Sequence, residues 1–135
     1  ANGDPARFAA LGLPVIADRV AGTPGPLAGI LAAMDWAAGL GAAAVLTAPA
    51  DTPDLPADLL ARLRGAGGAA HAAGPDGRAH PTVGLWPVAA AADLRRALAG
   101  GMRRVQDWTA AIGAAAVVFP DAAAFRNINT PGDLA

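Results

Sequence analysis

The chain has 135 residues and a net charge of −1, which suits one domain and leaves no electrostatic footprint for nucleic acid or an anionic membrane. Its 10 cations are all arginine, and lysine, glutamate, serine, tyrosine and cysteine are absent, which rules out a disulfide scaffold and a thiolate metal centre. No apolar run nears the about 18 residues of a membrane span, and Asn2, Asp4, Pro5 and Arg7 do not read as a signal-peptide core.

In chain order, "PVIAD" (Pro14–Asp18) is a short β-branched run that ends on an acid, and it predicts a strand. Leu27, Ile30, Leu31 and Met34 follow at helical spacing and form one apolar face, which stops near Gly39 and Gly41. "AAAVLTA" (Ala42–Ala48) is continuously apolar, as expected of a strand buried on both faces. Pro56 suits a helix first turn, with Leu59, Leu60 and Leu63 as the inner face and Gly65 as the stop. Residues 65–80 are rich in glycine and alanine, and "GPDGRAHP" predicts a turn or loop. "TVGLW" predicts the next strand. Leu94 and Leu98 predict a helix ending at Gly100–Gly101, and Val105, Trp108 and Ile112 predict another. "AAAVVF" reads as the last strand and "NTPGDLA" as the start of a terminal helix.

Strands separated by helices need crossover connections. The expected fold is therefore α/β, a mostly parallel sheet with helices on both faces. No repeat or linker divides residues 1–135, so a single domain is expected. Ligands of such sheets bind beyond the carboxyl ends of the strands, where Asp18 and Asp51 both fall.

Each candidate residue has two readings. Asp51 in "DTPDLP" can brace a turn, which position alone slightly favours, or it can ligate Mg²⁺, which takes one or two carboxylates and fills its sphere with water and phosphate oxygens. "GTPGPLAGI" opens a helix whose N–H groups suit an anion, or it is an ordinary strand-to-helix loop. His80, before Pro81, has no second histidine at ligand spacing, and a lone histidine is more often structural. Arg103–Arg104 is a solvated face or a phosphate fork. Asn127 and Asn129 share one side if extended, although a helix-capping turn before Thr130–Pro131 is the reading that physics alone favours.

Taken in order, "PVIAD", "PGPLAGI", "DTPDLP", "HPTVGLW", "RRV" and "NINTP" resemble the molybdenum cofactor guanylyltransferase (MobA) family over nearly the whole chain. The resemblance implies a Rossmann-like nucleotidyltransferase fold. It also implies transfer of GMP from GTP to molybdopterin, giving molybdopterin guanine dinucleotide and pyrophosphate. By the same resemblance Asp18 contacts the nucleotide, while Asp51 binds Mg²⁺ beside the phosphates as the catalytic acid. His80, Arg103, Arg104, Asn127 and Asn129 fall on its molybdopterin side. Other proteins of molybdenum cofactor synthesis are the implied partners, and the cytoplasm is the implied location.

The family opens with a strand and a glycine-rich loop that carries an arginine and, further on, a lysine. This sequence contains neither that loop nor any lysine. An N-terminally truncated fragment, inactive by itself, is therefore expected. A cytidylyltransferase of the same fold and a non-catalytic molybdopterin-binding or partner-docking module are the alternatives.

Overall fold

The computed structural model of the protein describes residues 25–126. The predicted strand at Pro14–Asp18 and the predicted terminal helix lie outside that range. Helix α1 (Pro26–Gly39) leads into strand β1 (Ala44–Thr47), and a loop and helix α2 (Leu59–Arg64) follow. Strands β2 (Ala70–Ala73) and β3 (Ala79–Pro87) come next, then helices α3 (Ala91–Ala99) and α4 (Val105–Ala111). Strand β4 (Ala115–Val118) and a 3-10 turn (Ala122–Phe125) complete the described chain.

The four strands lie in the order β1-β3-β2-β4. β3 is antiparallel to both β1 and β2, while β2 and β4 are parallel. Three strands thus share one direction, as expected, and β3 alone is reversed. Its reversal comes from the turn expected at "GPDGRAHP", but residues 70–73 before it, notable in the sequence only as part of a Gly- and Ala-rich stretch, form β2, and Ala79–Pro81 of the expected loop belong to β3. A short turn closed by Gly74 N–H to Arg78 O (2.9 Å) then returns the chain as β3. Gly77, at φ 80°, supplies the left-handed position that such a turn requires.

The sheet buries both faces. On one, Leu27, Ile30, Leu31 and Met34 of α1 meet Trp86, with Leu94 and Leu98 of α3 and Trp108 of α4. Trp86 and Trp108 pack with ring centroids 5.0 Å apart. On the other, Leu59 and Leu63 of α2 cover Ala70, Ala72 and Val83, with Phe119 and Phe125. The alternation of Val83 and Trp86 across β3 follows from the period-two geometry of a strand. Small alanines on β2 let α2 and the aromatic rings approach the sheet closely.

Two expectations need correction. β1 is not buried on both faces: Leu46 is 39% exposed, because among the described residues β1 pairs only with β3. Leu60 is not on the inner face of α2 either. It is 42% exposed, since Leu59 and Leu63 one turn apart already fill the contact with the sheet. Among the described residues no helix is long and apolar enough to cross a membrane.

Candidate active site

The carboxyl ends of β1, β2 and β4 (Thr47, Ala73 and Val118) lie on one edge of the sheet, and the reversed β3 begins there at Ala79 and His80. Pro81 has no N–H to give to the β2 ladder. The register between β2 and β3 shifts between His71 and Ala72 as a bulge, which frees Thr82 for another partner. Thr47 Oγ1 donates to Thr82 O at 3.0 Å and accepts from Trp86 Nε1–H at 2.9 Å. The core indole is thereby tied to the rim of the edge.

Two clefts open along this rim. The first, of about 420 Å³, lies between the first turns of α1 and the end of β1, and it is lined by Pro26, Gly29, Thr47, Pro49 and Thr82 among others. Gly25 caps α1 with φ 123° and ψ 175°, a conformation essentially confined to glycine, and offers no side-chain acceptor to the first-turn N–H groups. Pro26 then takes the first helical position, where its missing N–H costs nothing. The "GPLAG" segment therefore folds as a helix start, and Pro26, Gly29, Ile30 and Ala33 turn one flank of α1 to the cleft.

Asp51 stands four residues past Thr47 in the loop beyond β1, and it is half-buried. Among the described residues its carboxylate has no hydrogen-bond or ion-pair partner. Bracing of this turn falls instead to Thr52, which is buried and donates from Oγ1 to Pro49 O at 3.0 Å. The other acid of the segment, Asp54, accepts from Arg126 Nε–H at 2.9 Å. Asp51 is not among the residues that line either cleft. No group of three or more acids or histidines suited to a metal occurs among the described residues. A cation at Asp51 would therefore draw on one carboxylate, with water and phosphate oxygens completing the sphere, a donor set that fits Mg²⁺.

The second cleft, of about 250 Å³, is lined by Gly74, Asp76, Arg78, His80, Phe125 and Arg126, among others. His80 stacks on Phe125 with ring centroids 4.7 Å apart, and Phe125 meets Phe119 edge-on at 5.6 Å. Partial burial, then the charge of Arg78, holds the His80 imidazole below its usual pKa, and Asp76 opposes them.

The remaining site candidates divide. Arg103 closes the end of α3, donating from Nη1 to Leu98 O (3.0 Å) and Met102 O (2.7 Å). Arg104 is exposed at the N-cap of α4. Neither lines the His80 cleft. Asp18, Asn127 and Asn129 lie outside the described residues. Arg78, Phe125 and Arg126 went unnoticed in the sequence, where an arginine in a Gly-rich turn and an aromatic beside an arginine carry no pattern of their own.

Comparison with known proteins places the chain in a family. Residues 1–114 match the MobA-like NTP transferase domain. The chain belongs to this family of nucleotidyltransferases. A molybdenum cofactor guanylyltransferase from Cereibacter sphaeroides (strain ATCC 17029 / ATH 2.4.9) is 56% identical over 136 residues, an alignment that covers 100% of this chain and 69% of that protein. One of the same name from Rhodopseudomonas palustris (strain BisB5) is 51% identical over 144 residues, again with 100% and 69% covered. Among solved structures, a protein from Aquifex aeolicus VF5 superposes with a TM-score of 0.79 at 18% identity, over 94% of this chain and 68% of that one. Molybdopterin-guanine dinucleotide biosynthesis protein A from Archaeoglobus fulgidus gives 0.57 at 24% identity, over 82% and 59%. These two likenesses establish the shared MobA-like fold.

Proposed function

We propose that this MobA-like transferase moves GMP from GTP to molybdopterin, forming molybdopterin guanine dinucleotide and pyrophosphate with Mg²⁺ as cofactor. The observation that carries the reading is the 56% identity, over the whole chain, to a protein named molybdenum cofactor guanylyltransferase. The two clefts on one sheet edge add to it. One lies between the flank of α1 and the end of β1, and the other is walled by ring and guanidinium groups that suit an acceptor.

In this reading a phosphate oxygen of molybdopterin attacks the α-phosphorus of GTP, the bond to the β-phosphate oxygen breaks, and pyrophosphate departs. Asp51 holds the cation beside the phosphates, and Asp18 contacts the nucleotide. His80, Asn127 and Asn129 lie on the molybdopterin side, together with Arg104. Arg103 shapes that side through its bonds to the end of α3. Bound Mg²⁺ would supply neutralisation of phosphate charge. The protein's part is positioning, through a loop fixed by Thr52 and a rim fixed by Thr47.

Calorimetric titration of the full-length protein with GTP and with molybdopterin tests the two halves. Asp18→Ala is expected to weaken GTP binding more than molybdopterin binding, and Asn129→Ala to do the reverse. Equal losses for both ligands in both variants would refute the division.

A further inference from the structure

We infer that the cleft between the β2–β3 turn and the 3-10 turn at 122–125 is a phosphate subsite, with Arg78 and Arg126 as its guanidinium donors. Both residues line it, as do the stacked rings of His80 and Phe125. Among the described residues Arg126 is held by one nitrogen: its Nε–H donates to Asp54 Oδ2 at 2.9 Å. That bond orients the guanidinium, and among the described residues its Nη groups meet no acceptor. A fork braced at Nε and open at Nη is pre-organised for a bidentate oxyanion.

Arg78 is fixed through its backbone rather than its side chain. Its N–H donates to Asp76 Oδ1 at 3.0 Å, and its carbonyl accepts from Gly74 N–H at 2.9 Å. The one acid in the cleft wall is thus engaged in shaping the turn, while the Arg78 guanidinium has no partner among the described residues. A Cβ at Gly74 would stand 2.8 Å from Asp76 Oδ1, so Asp76 would have to shift to admit it. The charged groups that line the cleft with His80 are Asp76, Arg78 and Arg126. At about 250 Å³ the cleft has room for a phosphate group with attached atoms.

The ligand chemistry is a phosphate dianion, from either the phosphomonoester end of the acceptor or free inorganic phosphate. Assigning the acceptor as its source rests on the transfer reaction proposed above.

The test follows the ring-proton resonances of His71 and His80 while inorganic phosphate is added to the protein at constant ionic strength. A saturable shift is expected at His80 and none at His71. Arg78→Ala and Arg126→Ala should each weaken the apparent affinity about tenfold, the loss of a charge-assisted hydrogen bond. Arg126→Lys, which keeps the charge and loses the fork, should fall between. No saturable movement of His80, or an unchanged response in the Arg78→Ala/Arg126→Ala double variant, would overturn the inference.

A steady-state arm separates the sources. If the arginine variants raise KM for molybdopterin more than they lower kcat, the acceptor supplies the phosphate. If phosphate binds but KM for molybdopterin does not move, the subsite stands as one for free phosphate, and the acceptor reading of this cleft fails.

Discussion

Asp51→Ala in the full-length protein is expected to lower the rate of transfer by about a hundredfold or more, the scale of losing a preorganised electrostatic contact in the transition state. The thermal midpoint should move by less than about 2 °C, because substitutions away from packing and bonding networks change stability by under about 0.5 kcal/mol. Thr52, not Asp51, holds the turn through Pro49 O, and Asp54, not Asp51, makes the ion pair with Arg126. Asp51→Asn should behave much like Asp51→Ala, since an amide keeps the shape and loses the charge a cation requires. Activity retained together with a large fall in the midpoint would reassign Asp51 to bracing the loop.

Gly84→Ala is expected to be the most damaging small substitution in the sheet. A Cβ at this position would stand 2.3 Å from Trp86 Cζ2, 2.7 Å from Trp86 Cε2 and 2.9 Å from Ala70 O. The indole cannot easily move aside. Trp86 is fully buried, its Nε1–H is bonded to Thr47 Oγ1, and its ring packs against Trp108. The backbone oxygen cannot move without breaking β2–β3 pairing. Overpacking of this kind costs about 3 kcal/mol or more, which corresponds to roughly 10 °C in the midpoint of a domain this size. A thermal scan of the variant measures it directly, and a shift of under about 2 °C would mean that the strand accommodates the methyl. Because Thr47 links this indole to the rim, the same variant should also lose affinity in the first cleft.

The helices were the most legible part of the fold. The spacing of Leu27, Ile30, Leu31 and Met34 placed α1, and the paired glycines at 100 and 101 marked the end of α3, because these signals act within one or two turns. β2 was hidden. Its residues Ala70–Ala73 carry none of the β-branched or aromatic character that marks a strand, and small side chains are needed there because α2 and Phe125 press on the sheet. That requirement is tertiary, so no local pattern announces it. The reversal of β3 was concealed with it, since the turn at 74–78 makes a hairpin only if a strand precedes it.

The site divides along the same line. Asp51 and His80 drew notice in the sequence because one follows an apolar run and the other precedes a proline; the structure places Asp51 in the loop four residues past β1 and His80 at the start of β3. Arg78 and Arg126 did not, because they approach the cleft from segments 48 residues apart in number and gain meaning only from their shared wall. Arg103 illustrates the converse. Its pairing with Arg104 suggested a phosphate fork, yet its guanidinium is engaged by the carbonyls that end α3.

The most direct test of the central proposal supplies the full-length protein with Mg²⁺, molybdopterin and an equal mixture of GTP and CTP labelled at the α-phosphate. The product is then resolved by chromatography. The account predicts label in molybdopterin guanine dinucleotide, release of pyrophosphate in equal amount, and loss of both on chelation of the metal. Label in the cytosine dinucleotide instead, or no label transferred to molybdopterin from either nucleotide, would contradict it.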